Sequence, residues 1–275
     1  MHSIFSDGSW RPAELIAEAR RLGLGAVALT DHNTVTGLKD FMQEADLQGV
    51  TAVGGVELST EHEKDEYHLL GLFIAPEYYD KVERLAKEFH VLKEISNIET
   101  IERLNEAGYM ISYADVRKKN PNGNVNRAHM AAELLEKGYV ESVSHAFKTL
   151  LRDDAGFYVP PVRLQLIDAI KFLREINALP VLAHPLQGTD EATVRQLLPS
   201  AVEAGLIGME TRHSSYSSAQ IETSEKIAAD FNLLHSGGSD FHGDAKPDIR
   251  MGTGKGNLAV PLDIYRRLRE AHARL

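Results

Sequence analysis

A histidine at position 2 and the Ser-Asp-Gly turn at residues 6–8 place an imidazole and a carboxylate, His2 and Asp7, in one short stretch. Further along, polar residues close a series of short apolar runs. Asp31 and His32 end one run, Glu57 the next, His184 another, His213 another, and Asp240 with His242 the last; His68 lies inside a run rather than at its end. The chain has no cysteine, so any metal must be held by His, Asp, Glu and water. Imidazoles and carboxylates suit Zn, Mn or Fe. Two or three such divalent ions, closely spaced, would clamp phosphoryl oxygens and generate hydroxide, an arrangement that cleaves phosphate esters. A single strand-end His or Asp is more simply a capping or turn residue. Convergence of all of them is what a structural role would not require.

The elements that must position these residues follow from the hydrophobic pattern. RPAELIAEARRLGLG reads as a helix with Pro12 in its first turn and Gly23 as its stop. AVALTDH reads as a buried strand, TVTGLKDFMQEADLQG as a helix, and TAVGGVELS and EYHLLGLFI as strands. This alternation predicts an α/β fold with a mostly parallel sheet or barrel. From about Glu77 to Phe157 only helices are expected, broken by NPNGN. Alternation resumes at Val162 with LQLIDAIKFLREINA, LPVLAHP, ATVRQLLPSAVEAG, LIGMETRH, SAQIETSEKIAADFN and LLHSGGSDFHG, and LDIYRRLREAHARL closes the chain as a helix. In a barrel of parallel strands the carboxyl ends share one rim, so residues distant in sequence would meet there.

Bulk properties narrow the options. The 275 residues suffice for one large α/β domain or a barrel with an insert. No run of about 18 apolar residues occurs, so no membrane span is expected. The first residues lack a signal-peptide core, and a cytoplasmic protein is expected. A formal charge of −10 argues against a broad grip on duplex nucleic acid but permits a small anionic substrate. The oligomeric state is not written in the sequence.

The motifs HSIFSDG, ALTDHNT, GVELS, YHLLG, LAHP and SGGSDFHG, in that order, resemble the PHP family, the polymerase and histidinol phosphatase superfamily of metal-dependent phosphoesterases. The resemblance implies a distorted (β/α)7 barrel formed by residues 1–77 and 158–275, with a helical subdomain inserted at 78–157. It implies that His2, Glu57 and Asp240 hold a first metal, that Glu57 bridges to a second bound by His68 and His184, and that Asp7, His32 and His242 hold a third. The expected cofactors are therefore two to three divalent ions, Mn, Fe or Zn, with a bridging hydroxide as nucleophile. Family members usually open with a strand ending in His-x-His. Counting back from Ser6, the first of those histidines and the first barrel strand would precede Met1, leaving one metal a ligand short or served by water or the Met1 amine. Asp31 is expected to orient a metal-bound His or a water, or to cap the following turn. His213 is expected to bind phosphate or to protonate the leaving group.

Within the insert, Arg127 and His129 near a helix start resemble a phosphate clamp of the nucleotide-acting branch, with Lys148 a further contact and Tyr158 approaching the site as the chain re-enters the barrel. His62, His90, His145, His235 and His272 carry no expected function, and Trp10 is expected to pack beside the SDG loop. The resemblance favours a phosphoesterase acting on a nucleoside 3′,5′-bisphosphate or a short 5′-phosphorylated RNA. Histidinol-phosphate phosphatase and a catalytically weakened metal- and nucleotide-binding protein are the alternatives.

Overall fold

The computed structural model describes residues 1–119, 125–152 and 154–275. The NPNGN break lies outside the described residues. Two compact units form: residues 1–84 with 164–275, and residues 85–163. Both boundaries fall a few residues after those read from the sequence, and the first lies within one helix that runs without interruption from Tyr79 to Glu106.

The first unit is a curled mixed sheet of six strands with helices around it. Its strands are β1 (Val27–Leu29), β2 (Ala52–His62), β3 (Asp65–Leu72), β4 (Leu179–Ala183), β5 (Gly208–His213) and β6 (Leu234–Gly238), in that spatial order. β1 and β2 run parallel, as do β4, β5 and β6. β3 is antiparallel to both its neighbours, a departure from the parallel order expected there. It returns from β2 through a tight hairpin at Glu63, whose φ is +57°. The helices of this unit are α1 (Pro12–Arg21), α2 (Leu38–Gln48), the start of α3 (Tyr79–Glu106), α7 (Leu166–Glu175), α8 (Glu191–Ala204), α9 (Ser218–Asp230) and α10 (Leu262–His272). α2 begins four residues later than TVTG suggests. Thr34 and Thr36 instead form a turn whose hydroxyls bind Glu83.

Helix packing follows the apolar stripes. On α7, Leu166, Ala169, Ile170 and Leu173 recur at helical spacing and are buried. Each fully buried leucine contributes roughly 1.5–3 kcal/mol. Gly71 of β3 lets α7 come close: a Cβ there would lie 2.4 Å from Leu173 Cδ2. Leu173→Ala would open a cavity at this seam, at a cost of about 2–5 kcal/mol.

β1 and β6 end the strand order, and the first two residues lie between them. The Thr30 N–H donates to the Met1 carbonyl (3.0 Å), and the His2 N–H donates to the Phe241 carbonyl (2.9 Å). A cavity of about 240 Å³ adjoins this point, lined by apolar side chains including Leu24, Leu70, Leu262 and Leu268.

The second unit is helical among its described residues. Beyond its part of α3 it contains α4 (Tyr113–Lys118), α5 (Arg127–Glu136) and α6 (Val143–Lys148). Its own core gathers Ile101, Leu104, Met130, Leu134 and Leu151, with Tyr109, Tyr113 and Phe157 packed against them. No helix among the described residues is long and apolar enough to cross a membrane.

Candidate metal centre and active site

Glu57 sits at the middle of the site. On the β2–β3 ladder it is opposite Leu70, while His68 is opposite Ser59, so Glu57 and His68 are diagonal neighbours on one face. His68 Nδ1 lies 2.7 Å from Glu57 Oε1. The antiparallel course of β3 explains why a histidine inside a strand reaches the rim: it brings the amino-terminal half of β3 to the carboxyl ends of its neighbours. His184 follows β4 and places Nε2 3.1 Å from the same oxygen. His2 Nε2 lies 3.1 Å from both Glu57 Oε2 and Asp240 Oδ1. His242 Nε2 is 3.2 Å and His32 Nε2 3.9 Å from the Asp7 carboxylate, and His2 stacks between these two rings at 4.2 and 4.4 Å.

Three overlapping groups therefore have donor atoms close enough to share an ion: His2, Asp7, His32 and His242; His32, Glu57 and His68; and His2, Glu57 and Asp240. The second differs from the expected set in placing His32 with Glu57 and His68, while His184 joins through its contact with Glu57. The donor set fits divalent metal. His2 Nδ1, His32 Nδ1 and His213 Nε2 are buried without a hydrogen bond, and His68 Nδ1 and His242 Nε2, though 2.7 and 3.2 Å from carboxylate oxygens, do not make a well-angled one. An unsatisfied buried polar atom costs about 1–3 kcal/mol, a cost that cation binding relieves at the ligand atoms. The Met1 amine faces the Ala28 carbonyl and Thr30 Oγ1, at 3.3 and 3.4 Å.

The electrostatics pull neighbouring imidazoles apart. Burial opposes the charged form of every ring here. It pushes His32 and His213 down to about 4. At His2 burial is overcome by Asp240 and Glu57, which raise it to about 9, and at His68 by Glu57 and Glu66, which raise it to about 10. Burial also works against the charge on Glu57, yet His184, His2 and His68 hold its carboxyl well below the ordinary range.

Backbone strain marks the same place. His184 and Asp240 have φ of +27° and +55°, unusual for residues with side chains. The strained His184 N–H donates to Glu210 Oε2 at 2.9 Å. Glu210 is buried, and burial, with Glu57 and Asp240 nearby, pushes it up to about 7. It was not expected from the sequence. A β-bulge lies between Glu210 and Arg212. The extra residue lets Glu210 and His213, three positions apart, both turn toward the site.

His213 Nδ1 accepts the Ser215 N–H (3.2 Å), and Ser215 Oγ lies 2.8 Å from the same nitrogen. The neutral ring therefore carries its proton on Nε2, 3.9 Å from Asp240 Oδ2. This tautomer suits a hydrogen-bond donor rather than a metal ligand. Asp31 is buried and accepts from the Ser3 N–H, Ser3 Oγ and Ser6 Oγ, each at 2.6 Å. It fastens the HSIFS segment and belongs to none of the three ligand groups. Trp10 packs edge-on to Phe241 at 5.1 Å.

A family model described as PHP domain matches residues 1–158. The chain belongs to the PHP family. It is 31% identical over 242 residues to a 5′-3′ exoribonuclease of Haemophilus influenzae, with 88% of each chain covered. It is 30% identical to a phosphoribosyl 1,2-cyclic phosphate 1,2-diphosphodiesterase of Eggerthella lenta, covering 88% of this chain and 92% of that one. It is 27% identical to a 3′,5′-nucleoside bisphosphate phosphatase of Chromobacterium violaceum, covering 88% and 85%. A solved structure from Bifidobacterium adolescentis, described as a metal-dependent phosphoesterase, superposes with a TM-score of 0.69 at 27% identity over 97% of this chain and 93% of that one. This PHP protein is a hydrolase of phosphate esters, and histidinol phosphate is not the favoured substrate.

In the helical unit the structure brings together part of the expected clamp. The Arg127 guanidinium lies 4.1 Å over the Tyr158 ring and 6.0 Å over Phe147. His129 Nδ1 accepts the Asn126 N–H at 3.1 Å and so helps cap α5. Lys148, at the end of α6, is exposed.

Beside the barrel residues lies a cavity of about 300 Å³. Two of its charged lining residues, Glu66 and Lys246, were also missed in the sequence. Glu66 Oε1 lies 3.7 Å from His68 Nε2. Lys246 Nζ lies 3.0 Å from Asp240 Oδ2.

Proposed function

We propose that this protein removes a phosphate from a nucleoside 3′,5′-bisphosphate or from the 5′ end of a short RNA. The observation that carries this reading is the single buried carboxylate of Glu57, approached by His2, His68 and His184. A carboxylate so placed can be shared between two ions, and closely paired ions are the arrangement for phosphoryl displacement.

The ligands on this reading are His2, Asp7, His32, Glu57, His68, His184, Asp240 and His242, holding two to three ions of Mn, Fe or Zn. Divalent ions held there supply Lewis acidity toward phosphoryl oxygens and lower the pKa of water. His213 offers its Nε2–H to a phosphoryl or leaving-group oxygen. Asp31 holds the loop that carries Asp7. Arg127, stacked on Tyr158, with His129 and Lys148, would take the phosphate that is not cleaved. A fixed guanidinium plane matches a phosphate in two parallel hydrogen bonds. Support also comes from the exoribonuclease and bisphosphate phosphatase relatives, each aligned over 88% of this chain.

The test is phosphate release from adenosine 3′,5′-bisphosphate and from a 5′-phosphorylated trinucleotide, with Mn supplied. Wild type is expected to turn over at least one of them, and His184→Ala neither. Equal turnover by that variant would overturn the assigned site. The Eggerthella relative raises a second reading, a cyclic phosphodiester substrate. Faster hydrolysis of a ribose 1,2-cyclic phosphate than of either nucleotide would select it.

A further inference from the structure

Asp240 divides its two oxygens between different neighbours. Oδ1 faces His2 Nε2 at 3.1 Å and His242 Nδ1 at 3.6 Å, inside the ligand groups. Oδ2 faces Lys246 Nζ at 3.0 Å and His213 Nε2 at 3.9 Å. Two donors thus converge on one carboxylate oxygen from outside the ligand cluster. His213 Nε2 is buried with no hydrogen bond. Lys246 is the one Lys or Arg among the described residues lining the 300 Å³ cavity, whose other charged walls are Glu57, Glu66 and Asp240.

The turn that carries Lys246 is fixed from below, while its side chain is not. Ser9 Oγ accepts the Asp244 N–H at 2.6 Å, and the Ser9 N–H donates to the His242 carbonyl at 3.0 Å. Gly243 has φ of +65°, and a Cβ there would meet Trp10 at 2.5 Å, so only glycine lets the loop lie against Ser9 and Trp10. The side chain of Lys246 is 44% exposed on a flexible four-carbon stem. An ion pair so open to solvent is a weak anchor. An anion entering the cavity can therefore compete with Asp240 for the ammonium.

We propose that Lys246 contacts the substrate, its ammonium and the His213 Nε2–H together holding a non-bridging oxygen of the phosphate to be cleaved. The assignment rests on the phosphoesterase reading above and adds a cation to the cleaved phosphate, distinct from Arg127. It accounts for a lysine in an acidic cavity, where a purely structural partner for Asp240 need not reach the open volume. Charge-assisted hydrogen bonds of this kind are among the stronger contacts a protein can offer phosphate.

The test uses the full chain loaded with Mn. Inorganic phosphate is titrated calorimetrically into wild type, Lys246→Met and Lys246→Arg, and Mn content is measured on each. The Met variant is expected to bind phosphate about ten- to a hundredfold more weakly, the Arg variant to recover most of the loss, and Mn content to stay constant. The proposal is overturned by wild-type phosphate affinity in the Met variant, or by a loss of Mn parallel to the loss of phosphate. The two readings separate cleanly. If wild type hydrolyses the nucleotide substrates but phosphate binding ignores Lys246, this assignment fails and the functional reading stands. If phosphate binding depends on Lys246 but wild type hydrolyses none of the phosphate esters above, the functional reading fails, and with it the assignment to a cleaved phosphate, and a bare phosphate contact at Lys246 is what stands.

Discussion

The barrel rim and the helical unit handle charge in opposite ways. At the rim, histidines and carboxylates are buried against one another, two of the residues hold left-handed backbone, and ring nitrogens lack hydrogen bonds. In the helical unit, Arg127 lies on an aromatic ring and His129 is drawn into a helix cap. The rim is costly to assemble unless something completes it. Among the described residues of the helical unit, no buried side-chain nitrogen or oxygen lacks a hydrogen bond. On the proposed reading, the difference separates a place where chemistry demands fixed geometry from one where only recognition is needed. Bond cleavage requires ligand atoms placed to within a fraction of an ångström, and burial with strain achieves this. Recognition of a second phosphate requires only a preoriented cation.

Damage at the rim should therefore be larger than damage in the helical unit. Glu57→Gln keeps the shape but removes the charge that His2, His68 and His184 share. Activity should fall by at least about a hundredfold, the upper range for loss of a mere supporting partner, and metal analysis should show fewer ions bound. Undiminished metal content in this variant would break the comparison. Next in size is Glu210, which holds the strained His184 backbone. Glu210→Leu should weaken Mn affinity by about ten- to a hundredfold, measured by competition with a fluorescent chelator, while Glu210→Gln, which keeps an acceptor oxygen, should stay close to wild type.

How far the sequence disclosed each region depends on what its signals report. The residues gathered at the rim were legible because they close apolar runs, and the strand ends of such runs converge in any mostly parallel sheet. The reversal of β3 was not, because its two-residue turn places Glu63, rather than the usual Asn or Gly, at positive φ. His68 therefore looked misplaced inside its strand. Glu210 escaped notice because a bulge changes which residues face inward, and no residue type announces a bulge. Lys246 looked like one more charge in a polar turn; its reach to Asp240 follows from a close approach of the folded chain at Gly243. In the helical unit, residue types near a helix start suggested a phosphate clamp, but the cap made by Asn126 and His129 shows that the same types also serve the helix itself.

In the helical unit, Arg127→Ala should raise KM for a 3′,5′-bisphosphate by about ten- to a hundredfold with a smaller change in kcat, while metal content stays at the wild-type value. The rim also carries a pH signature that the helical unit lacks. His2 and His68, raised to about 9 and 10, hold protons at pH 7.5, and a metal requires the unprotonated nitrogen. Adding Mn to chelator-treated protein should release about two protons at pH 7.5, fewer as pH rises through 9 to 10, so affinity should strengthen with pH below that window and level off across it. Calorimetry in buffers of different ionisation heat measures this directly. Equal heats in both buffers would mean that the carboxylates do not hold these rings charged.

The smallest effect should come from the cap of α5, and it separates two parts played by one residue. Asn126 Oδ1 accepts the N–H groups of Ala128 and His129, at 3.0 and 3.3 Å, and His129 Nδ1 accepts the Asn126 N–H in return. Asn126→Ala removes the first half of this exchange at a cost of about 1 kcal/mol, a fall in Tm of roughly 2–4 °C for a chain of this size. His129→Gln keeps an acceptor at the same position of the helix, where glutamine commonly completes a capping box. If His129 serves only the helix, His129→Gln should match wild type in both Tm and KM. If its Nε2 also meets phosphate, Tm should hold while KM for the bisphosphate rises, and Asn126→Ala should show the reverse. Because His129 Nδ1 is taken up by the cap, only Nε2 is left to carry the proton, so any phosphate contact must come from a neutral N–H, weaker than that of Arg127. The rise for His129→Gln should accordingly be smaller than that for Arg127→Ala, and a larger one would reverse the order assigned to the two residues.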